Sequence, residues 1–228
     1  MVYDLTESRS GQHCRTFLGD WQSKLIYDDY AGYKACFDQG ITVLGCMAHA
    51  RCKFFEVFAS NKSPVAGHAL DSIKALYRIE RKAGRLKADD RRRLRQKRAV
   101  PILDALHVWL KQQRELVPPG SAIANAVDYS LRRWQAPIRY VDDGHAVIDN
   151  NYCENLVRPV ELGRKNWLFA GSLRTGQRAA AVMSLIQSAV LNGHDPYAYL
   201  KDVLTRLPTT KHKDIGELLP HNWRPAQG

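Results

Sequence analysis

Apolar and polar positions follow three different patterns along the chain. In the first part they form short runs. Residues 2–6 alternate apolar and polar, and residues 25–28 and 41–46 are brief apolar stretches. These patterns predict three strands. Residues 15–20 read as a helix between the first two strands. Residues 49–58 place Phe54, Phe55 and Phe58 at helical spacing, which predicts a helix with an aromatic face toward a core.

From residue 59 to 145 the period changes and no strand-like alternation remains. Residues 65–81 repeat apolar side chains at Leu70, Ile73, Leu76, Tyr77 and Ile79. Residues 99–116 do so at Ile102, Leu103, Leu106, Trp109 and Leu110, and residues 122–140 at Ile123, Val127, Leu131, Trp134 and Ile138. Each is an amphipathic helix by its period, with Pro137 bending or ending the third. This is an all-helical insertion of roughly 85 residues by the same periodicity. Beyond it, a helix around Glu154 precedes a loop at 163–172 and a long apolar helix at 178–192, where Ala179-Ala180-Ala181 suits close packing. Asp195-Pro196 then caps and opens a helix that Pro208 stops. The division is 1–58, core; 59–145, helical insertion; 146–207, core again; 208–228, a small appendage.

Composition narrows the class of partner. The apolar share of 45% and charged share of 25% are those of a soluble globular protein. No apolar run is long enough to span a bilayer, and no secretory signal follows Met1, so a cytoplasmic location is expected. Five cysteines, odd in number and without a paired framework, agree with a reducing compartment. The net charge of +11 points to a polyanion. Much of it comes from residues 81–98, where ten Lys or Arg, among them Arg91, Arg92 and Arg93, face only Asp89 and Asp90. That run is either a solvated helix face or a track for DNA phosphates.

Chemistry concentrates at Ile148-Asp149-Asn150-Asn151-Tyr152-Cys153-Glu154, with Arg158, Arg164 and Lys165 following. A polar turn starts a helix and sets one acid among cations, which suits a carboxylate-held metal working on a phosphate. Asn151 and Glu154 also have the spacing of an ordinary capping box. Upstream, the strand at 25–28 ends in Asp28 and Asp29, where the edge of an α/β sheet presents side chains to a ligand, or where a helix is capped. Cys46, His49 and Cys52 are spaced by three and invite a zinc reading, but no fourth ligand stands at a familiar spacing. His49 and Arg51 read instead as facing the site or the DNA backbone, or His49 as packing the helix start.

Four ordered motifs resemble one known family. They are Asp28-Asp29-Tyr30-Ala31-Gly32-Tyr33; Gly45-Cys46-Met47-Ala48-His49-Ala50-Arg51-Cys52-Lys53-Phe54-Phe55; the Ile148 to Glu154 segment with Arg158-Pro159; and Leu162-Gly163-Arg164-Lys165-Asn166-Trp167-Leu168-Phe169-Ala170-Gly171-Ser172. Together they look like the catalytic region of bacterial insertion sequence 66 transposases. Asn192-Gly193-His194-Asp195-Pro196 and Leu218-Leu219-Pro220-His221-Asn222-Trp223 extend the resemblance toward the C-terminus. It implies an α/β, ribonuclease-H-like core and an Asp-Asp-Glu triad holding two Mg2+ ions. It also implies DNA cleavage and strand transfer, with transposon ends, target DNA and other transposase subunits or accessory proteins as partners, at the bacterial nucleoid.

On this resemblance Asp28 and Glu154 are the second and third triad members and metal ligands. Arg158, Arg164 and Lys165 hold phosphates, and Trp167 stacks on a base or anchors its loop. The motif register sets residues 2–6 on the family's second strand. The first Asp therefore lies upstream of this sequence, the core is incomplete at the N-terminus, and a chain that is inactive alone is expected. Two alternatives follow: a non-catalytic DNA-binding remnant, and a stand-alone nuclease in which Asp4 supplies the first ligand.

Overall fold

The computed structural model describes residues 1–28, 31–37, 40–167 and 171–225, with the side chains of 35–36 and 164–167 outside the described set. The chain forms two compact units: Ser10–Glu154, and Met1–Arg9 together with Asn155–Gly228.

In the first unit, helix α1 (Gly11–Leu18) precedes strand β1 (Lys24–Tyr27). A 3-10 turn (Ala31–Tyr33) and helix α2 (Lys34–Phe37) lead to strand β2 (Thr42–Gly45). The strands pair in parallel, from Lys24↔Thr42 to Tyr27↔Gly45, and make a two-stranded sheet among the described residues. Parallel pairing requires a crossover, and 31–37 provides it. Helices α3 (Met47–Asn61), α4 (Pro64–Ala83), α5 (Ala88–Arg98), α6 (Val100–Leu116) and α7 (Ala122–Arg132) follow.

The helical periods predicted from the sequence hold, and their apolar stripes meet, except that Phe55, expected on the core face of its helix, is 49% exposed. Phe54, Ile73, Leu76, Leu110 and Val127 are fully buried in one cluster with Leu44 of β2, Met47 of α3 and Ile148. The helices of 59–145 therefore share a core with the strand and helix that precede them.

The third predicted helix ends early. α7 stops at Arg132, and a short helix α8 (Gln135–Ile138) and a 3-10 segment (Arg139–Asp142) carry the chain on. Proline at 137 has no N–H for the carbonyl of residue 133, and its ring would strike that carbonyl, so the break falls one turn ahead of it. Arg133 accordingly leaves helical geometry, at φ −108° and ψ 6°.

One buried ion pair organises this unit. Arg95 is 1% exposed, and its guanidinium donates to both Glu80 carboxylate oxygens at 2.9 and 2.6 Å. It also donates to the carbonyls of Tyr140 and Asp143 at 3.0 and 2.7 Å. One side chain thus ties α4 and α5 to the segment that returns the chain toward the sheet. Arg91 does similar work, donating to the carbonyls of Ala83, Leu86 and Gly144. The approach there is tight: a Cβ on Gly144 would lie 1.9 Å from the carbonyl oxygen of Ala88, so only glycine is accommodated.

In the second unit, helix α9 begins at Asn151 in the first unit and runs to Trp167; α10 (Leu173–Leu191) and α11 (Pro196–Arg206) follow, then 3-10 turns. Residues 163–167, expected to begin a loop, continue α9. An interior glycine at 163 costs only about 1 kcal/mol and does not by itself end a helix. Residues 2–6, expected to form a strand, have no regular structure. The Tyr3 N–H bonds the Ser184 hydroxyl on α10 at 2.8 Å, and the Tyr3 hydroxyl bonds the Leu156 carbonyl. These groups are bonded to helices, so the segment does not make a sheet ladder, and Asp4 gains no strand to present it. The two C-terminal motifs close on each other. Tyr199 and Trp223 pack edge to face at 5.4 Å, the Trp223 indole donates to Asp202 at 2.7 Å, and His194 bonds the Pro220 carbonyl.

Replacing Arg95 by methionine strands the Glu80 carboxylate and takes one donor from each of the carbonyls of Tyr140 and Asp143, which keep the N–H groups of Asp143 and Ala146. We expect Arg95→Met to cost about 3–5 kcal/mol in urea unfolding, and the double variant with Glu80→Met to recover part of that loss, because removing both partners leaves no uncompensated charge. Equal loss in the single and double variants would show that packing, not pairing, governs this site.

Candidate functional site

Strand register places the first functional side chain. Tyr27 pairs with Gly45, so Asp28 and Cys46 are the next residues as the two strands end side by side. Both line one cavity of about 280 Å³, floored by core side chains such as Phe54 and Leu106 and rimmed by Arg132, Arg133 and Arg139. Glycine at 45 has a steric cause. A Cβ there would stand 2.7 Å from the ring Cδ and backbone nitrogen of Pro137, which covers the strand end. Arg139 closes the same edge by donating to the Val43 carbonyl at 2.7 Å, and Lys24 pairs with Asp143. Lys24 first and the His145 N–H second hold the Asp143 carboxyl below the usual range.

Cys46 caps α3, whose Met47 N–H donates to the Ile148 carbonyl at 3.0 Å. The start of α9 is thereby fixed against the start of α3. A second clamp acts on the next residue. Asp149 accepts from the Asn151 backbone N–H at 3.1 Å and from its side-chain amide at 2.8 Å, and the Tyr77 hydroxyl of α4 donates to it. Asn151 is thus the first residue of α9, and the expected cap by its own side chain is replaced by the Asp149 turn. Burial first, and the Asp149 carboxylate second, push the Tyr77 phenol far above its ordinary range, which keeps it a donor.

These clamps bring Glu154 to the N-terminus of α3. Its carboxylate lies 3.8 Å from His49 Nε2, and donor atoms of Cys46, His49 and Glu154 all lie within 4.8 Å of one another. Burial raises the Cys46 thiol, partly offset by backbone N–H groups of Asn150, His49 and Ala48 that point at the sulfur. Asp28 lines the cavity that Cys46 also lines, and Glu154 lies within reach of the Cys46 sulfur; Asp28 is not among the three grouped donors.

The remaining cations are dispersed. Arg51 is exposed, with its guanidinium 5.6 Å from the Phe55 ring. Arg92 is exposed on α5, and Arg93 is exposed and pairs with Asp90 at 3.3 Å, whereas Arg91 is held by the carbonyls described above. Arg158 is exposed on α9. The side chains of Arg164, Lys165 and Trp167, like residue Asp29, lie outside the described residues. Cys52 is exposed and stands outside the Cys46 group. Sequence reasoning passed over Cys46 as a partner of Glu154, and over Tyr77 and the cavity arginines. The Cys46–His49 spacing was visible, but the third member is more than 100 residues away and no local pattern marks it.

Tyr77→Phe should lower stability by about 1–2 kcal/mol, the scale of losing one hydrogen bond to a half-buried carboxylate that keeps its two Asn151 donors. Because the folded phenol titrates above the unfolded value near pH 10, the wild-type contribution is complete below that pH and fades as pH rises through it. The difference between wild type and Tyr77→Phe in urea midpoints should therefore be constant from pH 6 to 9. A variant as stable as wild type would remove the Tyr77 clamp from this account.

Residues 1–178 match the family described as Transposase IS66 family, and residues 184–221 match the IS66 C-terminal element. Two uncharacterized proteins of Sinorhizobium fredii, y4hP and y4jD, are 35% and 34% identical to it over 99% of this chain. The chain spans 44% and 46% of their lengths, so it corresponds to less than half of each. No solved structure is significantly similar to it. With both segments matched in order across nearly its whole length, the chain belongs to the IS66 family of transposases.

Proposed function

We propose that this chain carries part of the catalytic site of a DNA transposase, with Asp28 and Glu154 as two of the carboxylates that bind divalent metal. The observation that supports this reading is that the sheet register places Asp28 at the strand end beside Cys46, while the clamped start of α9 brings Glu154 to the Cys46–His49 pair. A parallel strand pair whose ends present a carboxylate beside a helix bearing a second one is also what a ribonuclease-H-like core requires, and we read β1, β2 and α9 as elements of such a core.

Two oxygen donors on separate elements suit magnesium, which takes few protein ligands and keeps several waters. Magnesium would be held by Asp28 and Glu154 and would supply charge stabilisation for phosphoryl transfer. The chain's own contribution is position. Tyr77, Asp149 and the Ile148 carbonyl fix where Glu154 enters, while Pro137 over Gly45 fixes the strand end before Cys46. Arg132, Arg133 and Arg139 line the cavity beside Asp28, where a phosphate would find cationic donors. Outside the site, the exposed Arg92, Arg93, Arg51 and Arg158 supply contacts for duplex phosphates. Among the described residues no helix is long and apolar enough to cross a membrane.

Transposition frequency in cells, measured with the chain in its natural reading frame, tests the assignment. Asp28→Asn and Glu154→Gln should each lower it by at least about 100-fold, the scale of losing a group that stabilises developing charge. Wild-type frequency in either variant would overturn the assignment of that residue.

The purified chain should bind duplex DNA weakly, with affinity falling steeply as salt rises because phosphate contacts release counterions. Replacing Arg92 and Arg93 together by alanine should reduce the slope of log affinity against log salt by about 2 if both touch phosphate. An unchanged slope would move the DNA surface elsewhere.

A further inference from the structure

We propose that Cys46, His49 and Glu154 form a binding site for a zinc-class ion, chemically distinct from the oxygen-ligated magnesium site to which Glu154 is assigned above. The three donors are a thiol, an imidazole and a carboxylate, all within 4.8 Å of one another. A tetrahedral zinc ion holds sulfur at about 2.3 Å and nitrogen or oxygen at about 2.0–2.2 Å, which sets donors about 3.4–3.6 Å apart. The His49–Glu154 separation of 3.8 Å is within about half an ångström of that requirement. Glu154 is half exposed and free to adjust, while Cys46 is buried.

Donor chemistry separates this site from magnesium. Thiolate and imidazole select zinc and its neighbours, whereas magnesium prefers carboxylate and water. A magnesium-only reading of Glu154 leaves two adjacent ligand-type side chains without a role. Three protein ligands with one position open to solvent is the arrangement of reactive rather than purely structural zinc sites.

Two further features support an occupant. His49 Nδ1 and Asn150 Oδ1 are both buried and without a hydrogen-bond partner. They lie on the two elements that flank the cluster, α3 and the turn that opens α9. Unpaired buried polar atoms are uncommon in folded proteins, and an ion or water is one of the things that accounts for them; the Tyr140 hydroxyl is a third such atom, outside this cluster. The backbone also holds the site together without metal, because the Met47 N–H to Ile148 carbonyl bond fixes the two elements to each other. Binding then requires side-chain adjustment, not folding. Since Glu154 serves both sites, a zinc-class ion held here would withdraw it from magnesium.

Titration of the reduced 228-residue chain with Co2+, followed by competition with Zn2+, tests the proposal. We expect one equivalent of Co2+ to produce thiolate-to-cobalt absorption with the visible bands of tetrahedral cobalt, and Zn2+ to displace it. Glu154→Gln and His49→Ala should each weaken binding by at least about tenfold. Cys46→Ala should abolish the thiolate band, while Cys52→Ser, which changes an exposed cysteine outside the cluster, should leave it intact. If Cys46→Ala fails to fold, the Glu154→Gln and His49→Ala titrations decide the matter alone. Absence of the thiolate band in wild type, its loss in Cys52→Ser, or unchanged affinity in Glu154→Gln would each overturn the proposal. The readout needs neither DNA nor magnesium, so its outcome is independent of the transposition test. Lost transposition without a thiolate band rejects only the zinc-class site. A thiolate band with normal transposition in Glu154→Gln rejects only the catalytic role.

Discussion

The geometry of the site depends on how the short segment Ile148-Asp149 is held. Its carbonyl accepts the first N–H of α3, and its carboxylate accepts two donors from Asn151 and one from Tyr77. Glu154 lies one turn along α9 from these bonds, so any error in where α9 starts is transmitted to the carboxylate. An open helix end has N–H groups to satisfy, and the start of α3 satisfies one of them with the carbonyl of the segment that launches α9. One interaction thereby completes one helix and orients another.

The helical segment of 59–145 acquires a purpose from the same contacts. Tyr77 comes from α4, deep within it, and reaches the turn before Glu154. The Arg95–Glu80 pair fixes α4 against α5 and binds the carbonyls of 140 and 143, close to Lys24–Asp143 at the sheet edge. A buried ion pair is weak evidence of net stability, since desolvation offsets much of its attraction. Its value here is in register: an arginine with four directed hydrogen bonds permits one arrangement of the segment leading back to the sheet. This helical body braces the turn before Glu154 and the segment beside the sheet.

The charge of +11 is distributed among several roles. Arg95 is buried and Arg91 is bound to backbone carbonyls, so part of the most basic stretch is committed to contacts within the protein. What remains exposed on α5 is a narrower surface than the count of cations suggests. Meanwhile two of the cavity arginines, Arg132 and Arg133, stand at the α7–α8 break, which exists because Pro137 interrupts the helix, and Arg139 follows α8. The same proline covers Gly45, so one residue both ends a helix and shapes the strand end next to the site.

The sequence by itself determined the helical periods, the two strands that pair, the glycine and proline punctuation, and the order of motifs that marks the family. These are local properties, written in side-chain spacing and backbone preference within a few residues of each position. It misjudged 2–6 and 163–167, where alternation or a glycine spoke for one state and the available hydrogen-bond partners selected another. A strand exists only if another strand supplies its ladder, and the backbone N–H of Tyr3 bonds a serine on α10 instead. Only the tertiary structure decided that Cys46 and His49 stand by Glu154, that Tyr77 holds Asp149, and that Arg91 is bound to backbone carbonyls. Each joins positions separated by tens of residues or more, and no periodicity records which distant group will complete a ligand set or fill a donor's need.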